Sequence, residues 1–136
     1  MFGGIDQHFD YRLQVMNLRA ARQQVLASNI ANADTPGYRA RDIDFRAALA
    51  RIQAGDGALG RVELTRTSAR HLESRGTAPG GAPLLFRSAL QPSIDGNTVD
   101  MNVEIAQFAE NAVRMQADIA FMQSRISGLQ RAIQGQ

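Results

Sequence analysis

The last third of the chain carries an unbroken apolar ladder. Met101, Ile105, Phe108, Ala112, Met115, Ile119, Met122, Ile126, Leu129 and Ile133 step by four and three residues without a miss. An α-helix places residues at that spacing on one face. The ladder therefore predicts a helix over residues 99–134, with Asp100 or Asn97 capping its start. Such a helix would be roughly 54 Å long at about 1.5 Å per residue. Helices of small globular domains average only about 10–14 residues. A chain with this feature needs a partner surface of comparable length.

The amino-terminal end offers one. Residues 5–33 contain neither proline nor glycine. Phe9, Leu13, Met16, Ala20, Ala27 and Ile30 form an apolar stripe at the same alternating steps, with Gln23 as its one polar interruption. Tyr11, Val15, Leu18 and Val25 form a second stripe beside it. The helix should stop before Asp34-Thr35-Pro36-Gly37, because a proline pushes the residue before it out of the α region.

Residues 37–98 are different material. They hold most of the glycines and three of the four prolines. The runs 55–60 and 76–83 read as loops. Residues 44–53 have helical character, and residues 61–65 could make a short strand. The expected fold is mainly α. Long N- and C-terminal helices pair as a coiled-coil-like bundle around an irregular Gly/Pro-rich middle insert with short β pieces. The chain of 136 residues is one unit in three parts. These are a helix and corner over 1–36, a loosely folded or mobile insert over 37–98, and a helix over 99–136.

Composition excludes several kinds of chemistry. The absence of cysteine removes disulfides, thiolate metal sites and a cysteine nucleophile. His8 and His71 lie far apart without metal-ligand spacing. Asp42 and Asp44 are close, but read as a solvated pair near Arg39 or Arg41 rather than a catalytic dyad. The glycine runs lack the Gly-Lys-Ser/Thr ending of a phosphate loop. Ser28 has neither a nucleophile elbow nor a nearby base. All 15 basic residues are arginine, and the formal net charge is +2. Arginines concentrate in the insert, but acids interleave with them, so a nucleic-acid footprint is weak. The N-terminus shows no basic segment followed by an apolar one, as a cleaved secretory signal would. No cofactor is expected.

The long C-terminal helix has more apolar surface than one partner can cover. Ala106, Ala109, Val113, Ala117, Ala120 and Ser124 form a second, small-residue face that lets another helix approach closely. The remaining strip is polar through Asp100, Glu104, Gln107, Asn111, Arg114 and Asp118, and then meets Phe121. Phe121 is therefore a candidate contact between subunits. These faces could instead cover the insert of the same chain.

The segment Ser28-Asn29-Ile30-Ala31-Asn32-Ala33-Asp34-Thr35-Pro36-Gly37-Tyr38 resembles the signature of the bacterial flagellar rod and hook axial protein family. The corner residues are Asn29, Asn32, Thr35, Pro36, Gly37 and Tyr38. Residues 39–45, residues 95–100 with Glu104, and the ending 127–133 resemble the family's proximal-rod branch. Thr67 and His71 resemble its central pattern. Met115 departs from it, standing where an aromatic is usual. In physical terms, Asn29 and Asn32 could bond carbonyls at the helix end, and Tyr38 could lie against it. That describes a rigid corner rather than an active site.

The resemblance implies a structural subunit, not an enzyme. Its terminal helices would assemble into the hollow drive shaft of the flagellar basal body. The assembly seam would comprise Phe9, Leu13, Met16 and Ile30 with Met101, Ile105, Phe108, Met115, Ile119, Met122, Ile126, Leu129 and Ile133. Implied partners are other rod proteins, copies of itself, a FliE-like basal adaptor, the MS ring and the flagellar export gate. The chain would leave the cytoplasm by type III export without a cleaved signal peptide and reside in the periplasmic rod. The alternatives are an autonomous helical adaptor or export chaperone, and an Arg-rich nucleic-acid binder.

Overall fold

The computed structural model describes residues 3–54, 82–88 and 93–135. The loop at 55–60, the strand expected at 61–65, and the positions Thr67 and His71 lie outside the described residues. Helix α1 spans Gly3–Ala31. It is followed by strand β1 (Arg41–Ile43), helix α2 (Phe45–Gln53), strand β2 (Leu84–Phe86) and helix α3 (Met101–Gln134).

The helix ends follow from local chemistry. The Asp44 carboxylate accepts from the Ala47 amide at 3.0 Å and starts α2. Asp100 accepts from the amides of Asn102 and Val103 and starts α3. Each cap satisfies amides that have no partner inside the helix. Gly135, at φ 73°, closes α3 in the left-handed conformation that glycine adopts without steric cost.

Strands β1 and β2 pair antiparallel, with Arg41 opposite Phe86, Asp42 opposite Leu85 and Ile43 opposite Leu84. Beneath them lies one apolar core. Leu18, Ala21 and Val25 of α1 meet Ile43 of β1, Ala48 and Ile52 of α2, and Ala82, with Tyr11, Phe45 and Leu84 packed against them. Much of the second stripe of α1 is thus spent on the middle segment.

Helices α1 and α3 pack together antiparallel as expected, but their apolar seams close on each other only in part. The line of α3 that faces α1 runs Glu104, Phe108, Asn111, Met115, Asp118 and Met122, alternating polar and apolar residues. Glu104 and Asn111 are the buried residues of α3. Part of the polar strip, at Glu104 and Asn111, therefore turns inward. The reason is that α1 and the middle segment aim arginines and amides at it. The ladder is rotated partly outward as a result, leaving Ile105 at 51% and Ile133 at 86% exposed.

Candidate functional site

The corner and the segment before α3 form a clasp. Asn32 donates its side-chain amide to the Ser28 carbonyl at 2.8 Å, as expected for the helix end. Thr35 Oγ1 and Asn32 Oδ1 lie 3.3 Å apart. Pro36 stands exposed at the turn. Gly37 adopts φ 70° and gives its N–H to the Asp95 carbonyl at 2.9 Å. The Tyr38 carbonyl accepts from the Thr98 amide at 3.0 Å, and Thr98 Oγ1 accepts from the Ala40 amide at 2.8 Å. The two sequence stretches that carry the resemblance most strongly therefore face each other.

Asn97 holds the centre of this clasp. Its Nδ2 reaches the carbonyls of Asn32, Ala33 and Thr35 at 3.1, 2.6 and 3.0 Å. Its Oδ1 takes the Val99 amide at 2.8 Å. A residue considered as a cap for α3 instead caps the C-terminal end of α1.

Asn29 has a different role from the capping expected of it. It is fully buried, donates to the Arg41 carbonyl at 2.7 Å and accepts from the Arg41 amide at 3.1 Å. It also donates to Glu104 at 3.1 Å, and its Oδ1 accepts from the Tyr38 hydroxyl at 3.2 Å. One side chain thereby joins α1, β1, α3 and the corner. A flat amide with two donors and an acceptor can do this; a carboxylate or an alkyl chain cannot.

An ionic network lies beside it. Arg22 grips Asp42 with both ends of its guanidinium at 2.9 Å. Arg87 reaches Asp42 at 2.7 Å and Glu104 at 2.5 Å. Gln107 accepts from both arginines. Asp42 is therefore an ion-pair partner of Arg22 and Arg87 rather than of Arg39 or Arg41, while Asp44 serves as a cap. Burial disfavours the Asp42 charge, but the hydrogen bonds and charge of Arg22 outweigh it and hold this carboxyl below the usual range. The same pair raises the Arg22 guanidinium.

Farther along the helix pair, Asn111 is 2% exposed and donates to the Arg19 carbonyl at 2.9 Å and to Gln23 Oε1 at 2.6 Å. Arg19 bonds Asp118 at 2.5 Å and lies 5.0 Å from the Phe45 ring centroid. Gln23, the polar interruption of the α1 stripe, thus meets a polar residue of α3.

The outer surface of α3 is bare. Every member of its small-residue face is exposed, as are Met101, Ile105, Ile126, Leu129 and Ile133 of the ladder. Phe108, Met115, Ile119 and Met122 are half-buried. On α1, Leu13 is exposed, while Phe9, Met16 and Ile30 are half-buried. The described parts of the insert pack mainly on α1 and reach α3 at Glu104 and Gln107 through Arg87. Phe121 is 62% exposed at the edge of an open cleft of about 570 Å³ between the helix ends, with His8, Phe9 and Arg12 opposite it. Spacing in the sequence located these apolar residues. It did not reveal that Asn97, Glu104, Asn111 and Arg87 hold the helices together, because their partners lie far away along the chain.

Residues 15–39 match the family described as flagella basal body rod protein. The chain is 44% identical over 135 residues to the flagellar basal body rod protein FlgB of Escherichia coli (strain K12), covering 98% of each chain. It is 43% identical over 136 residues to FlgB of Salmonella typhimurium, covering 99% of each. It is 47% identical over 133 residues to FlgB of Cereibacter sphaeroides (strain ATCC 17029), covering 98% of each.

Proposed function

The chain belongs to the FlgB family of flagellar basal body rod proteins, and we propose that it builds the proximal end of the rod through the outer faces of its terminal helices. It is a structural subunit of the basal-body rod that assembles with other rod components. The adaptor or chaperone alternative finds no support among the relatives, which are named as rod proteins.

One observation carries the reading of how it assembles. The α1–α3 contact buries polar and ionic groups between its apolar residues, while half of the apolar ladder and the whole small-residue face of α3 remain exposed. Ordinary monomers bury their apolar face and solvate their polar one. A helix pair that buries polar groups and leaves this much apolar surface open suits a subunit whose remaining apolar faces close against neighbours. Several copies would then enclose a channel, with the terminal helices α1 and α3 forming the inner layer. The corner Asn29, Asn32, Thr35, Pro36, Gly37 and Tyr38 would hold the two helices at fixed register for this packing.

At the base this copy would meet a FliE-like adaptor, the MS ring and the export gate, with other rod proteins above. It would reach that place through the flagellar export apparatus. It carries no catalytic role in this reading, only shape and contact. The test is incorporation. A tagged chain expressed in cells lacking their own copy should appear in purified basal bodies, at the proximal rod by reconstruction. Recovery only as a soluble cytoplasmic dimer overturns the proposal.

A further inference from the structure

We propose that copies of this chain join head to tail, the Arg39–Phe86–Arg41 platform of one copy receiving the Asp6, Asp10 and Leu13 stripe of the next. This rests on the rod-subunit reading and names the contact by which subunits would stack along the helix axis. The platform lies where β1 meets β2. Arg39 and Arg41 stand 4.7 and 5.5 Å from the Phe86 ring centroid. Phe86 is 57% exposed, and both arginines are exposed. Two cations gathered on one open aromatic ring make a surface that favours carboxylates flanking an apolar group. Among the described residues, neither arginine meets a carboxylate, in contrast to Arg19, Arg22 and Arg87, which do.

The complementary surface is on the same chain. Asp6, Asp10 and Leu13 are exposed and follow helical steps of four and three on α1. Two residues four apart on a helix are separated by about 6 Å along the axis. Two residues two apart on an extended strand are separated by about 6.6 Å. The backbone rise from Asp6 to Asp10 is thus close to that from Arg39 to Arg41, and Leu13, one turn farther on, can reach the exposed edge of Phe86. The two surfaces cannot meet within one molecule. Asp10 lies about 32 Å from the corner end of α1 at about 1.5 Å per residue. A contact between different patches on identical copies does not close on itself as a dimer; it propagates as a ring or a filament.

The experiment is reciprocal charge reversal in the full chain, read by concentration-dependent sedimentation. Arg39→Glu with Arg41→Glu, or Asp6→Arg with Asp10→Arg, should weaken self-association roughly tenfold, as expected for two exposed pairs turned repulsive. All four changes in one chain should restore it. Circular dichroism of each variant confirms that the helices persist; where reversal disturbs them, Arg39→Gln with Arg41→Gln replaces it and should still weaken association. A wild-type chain that stays monomeric at every concentration reached, single-side reversals without effect, or a fourfold variant no better than either parent overturns the proposal. The rod reading is tested separately by incorporation into basal bodies. Reversals that have no effect in a chain that does incorporate remove the contact alone. The reciprocal pattern in a chain that never incorporates removes the rod reading and leaves the contact standing.

Discussion

The side-chain amide of Asn97 donates to the carbonyl of Ala33 at 2.6 Å, across 64 residues of chain. Through this bond the residue that leads into α3 closes the end of α1. Carbonyls at a helix end have no intrahelical partners and need a donor. Here the donor comes from a distant part of the chain, so closing α1 and positioning the start of α3 are one event.

Asn97→Ala should therefore destabilise the chain by about 1–3 kcal/mol, the cost of leaving buried carbonyls without donors. Asn97→Asp should be worse, because it sets a carboxylate against three carbonyl oxygens. Thermal melting checks the order: wild type highest, alanine lower, aspartate lowest. A melt in which aspartate matches wild type removes the capping role.

Asp42 predicts an acid limb. Its folded pKa lies below the unfolded value of 3.8, because Arg22 and Arg87 favour the charged form more than burial opposes it. The stabilisation is complete above the unfolded value and is lost as pH falls through the lowered folded value. The thermal midpoint should hold steady above about pH 5 and drop below about pH 4. Asp42→Asn should lower stability by about 2 kcal/mol at neutral pH, since partly buried Arg22 loses its carboxylate and Arg87 keeps only Glu104. It should also flatten the acid limb, which a pH series of melts measures directly.

The long helices were legible in the sequence because their cause is local. Alternating apolar steps and the Thr35-Pro36-Gly37 break bounded α1 near Ala31, and the ladder bounded α3 near its observed start at Met101. Helix α2 was legible for the same reason. The inward face of α3 was not. Periodicity finds an apolar face but does not say what that face meets, and Glu104 turns inward only because Arg87 and Asn29 arrive from elsewhere. The pairing of β1 with β2 was hidden too, since strands of three residues are too short to show alternation. The corner motif was visible, but the expected capping pair divided: Asn32 caps, while Asn29 ties four elements together.

Phe121→Glu should separate folding from assembly. The ring is largely exposed, so the change should move monomer stability by no more than about 0.5 kcal/mol. Burying a carboxylate at a contact between neighbours is costly. The variant should be made at normal levels, melt like wild type and enter basal bodies poorly. Quantifying the tagged chain in purified basal bodies against total cell content checks this; equal incorporation takes Phe121 off the contact surface.

The polar pair in the middle of the helix interface should trade stability for specificity. Asn111 and Gln23 occupy positions that a simple two-helix pair would fill with leucine, and the Asn111 carbonyl oxygen is buried without a partner among the described residues. Gln23→Leu alone strips the Asn111 amide of an acceptor and should cost about 1–2 kcal/mol. Gln23→Leu with Asn111→Leu removes both polar groups and should leave the chain as stable as wild type or up to about 2 kcal/mol more so, because apolar replacement of a buried polar pair is often neutral or stabilising. A double-mutant cycle by denaturant unfolding reads the difference. Strong destabilisation of the double variant would mean that the pair contributes net stability, and that the exposed ladder of α3 is not balanced by a deliberately polar interior.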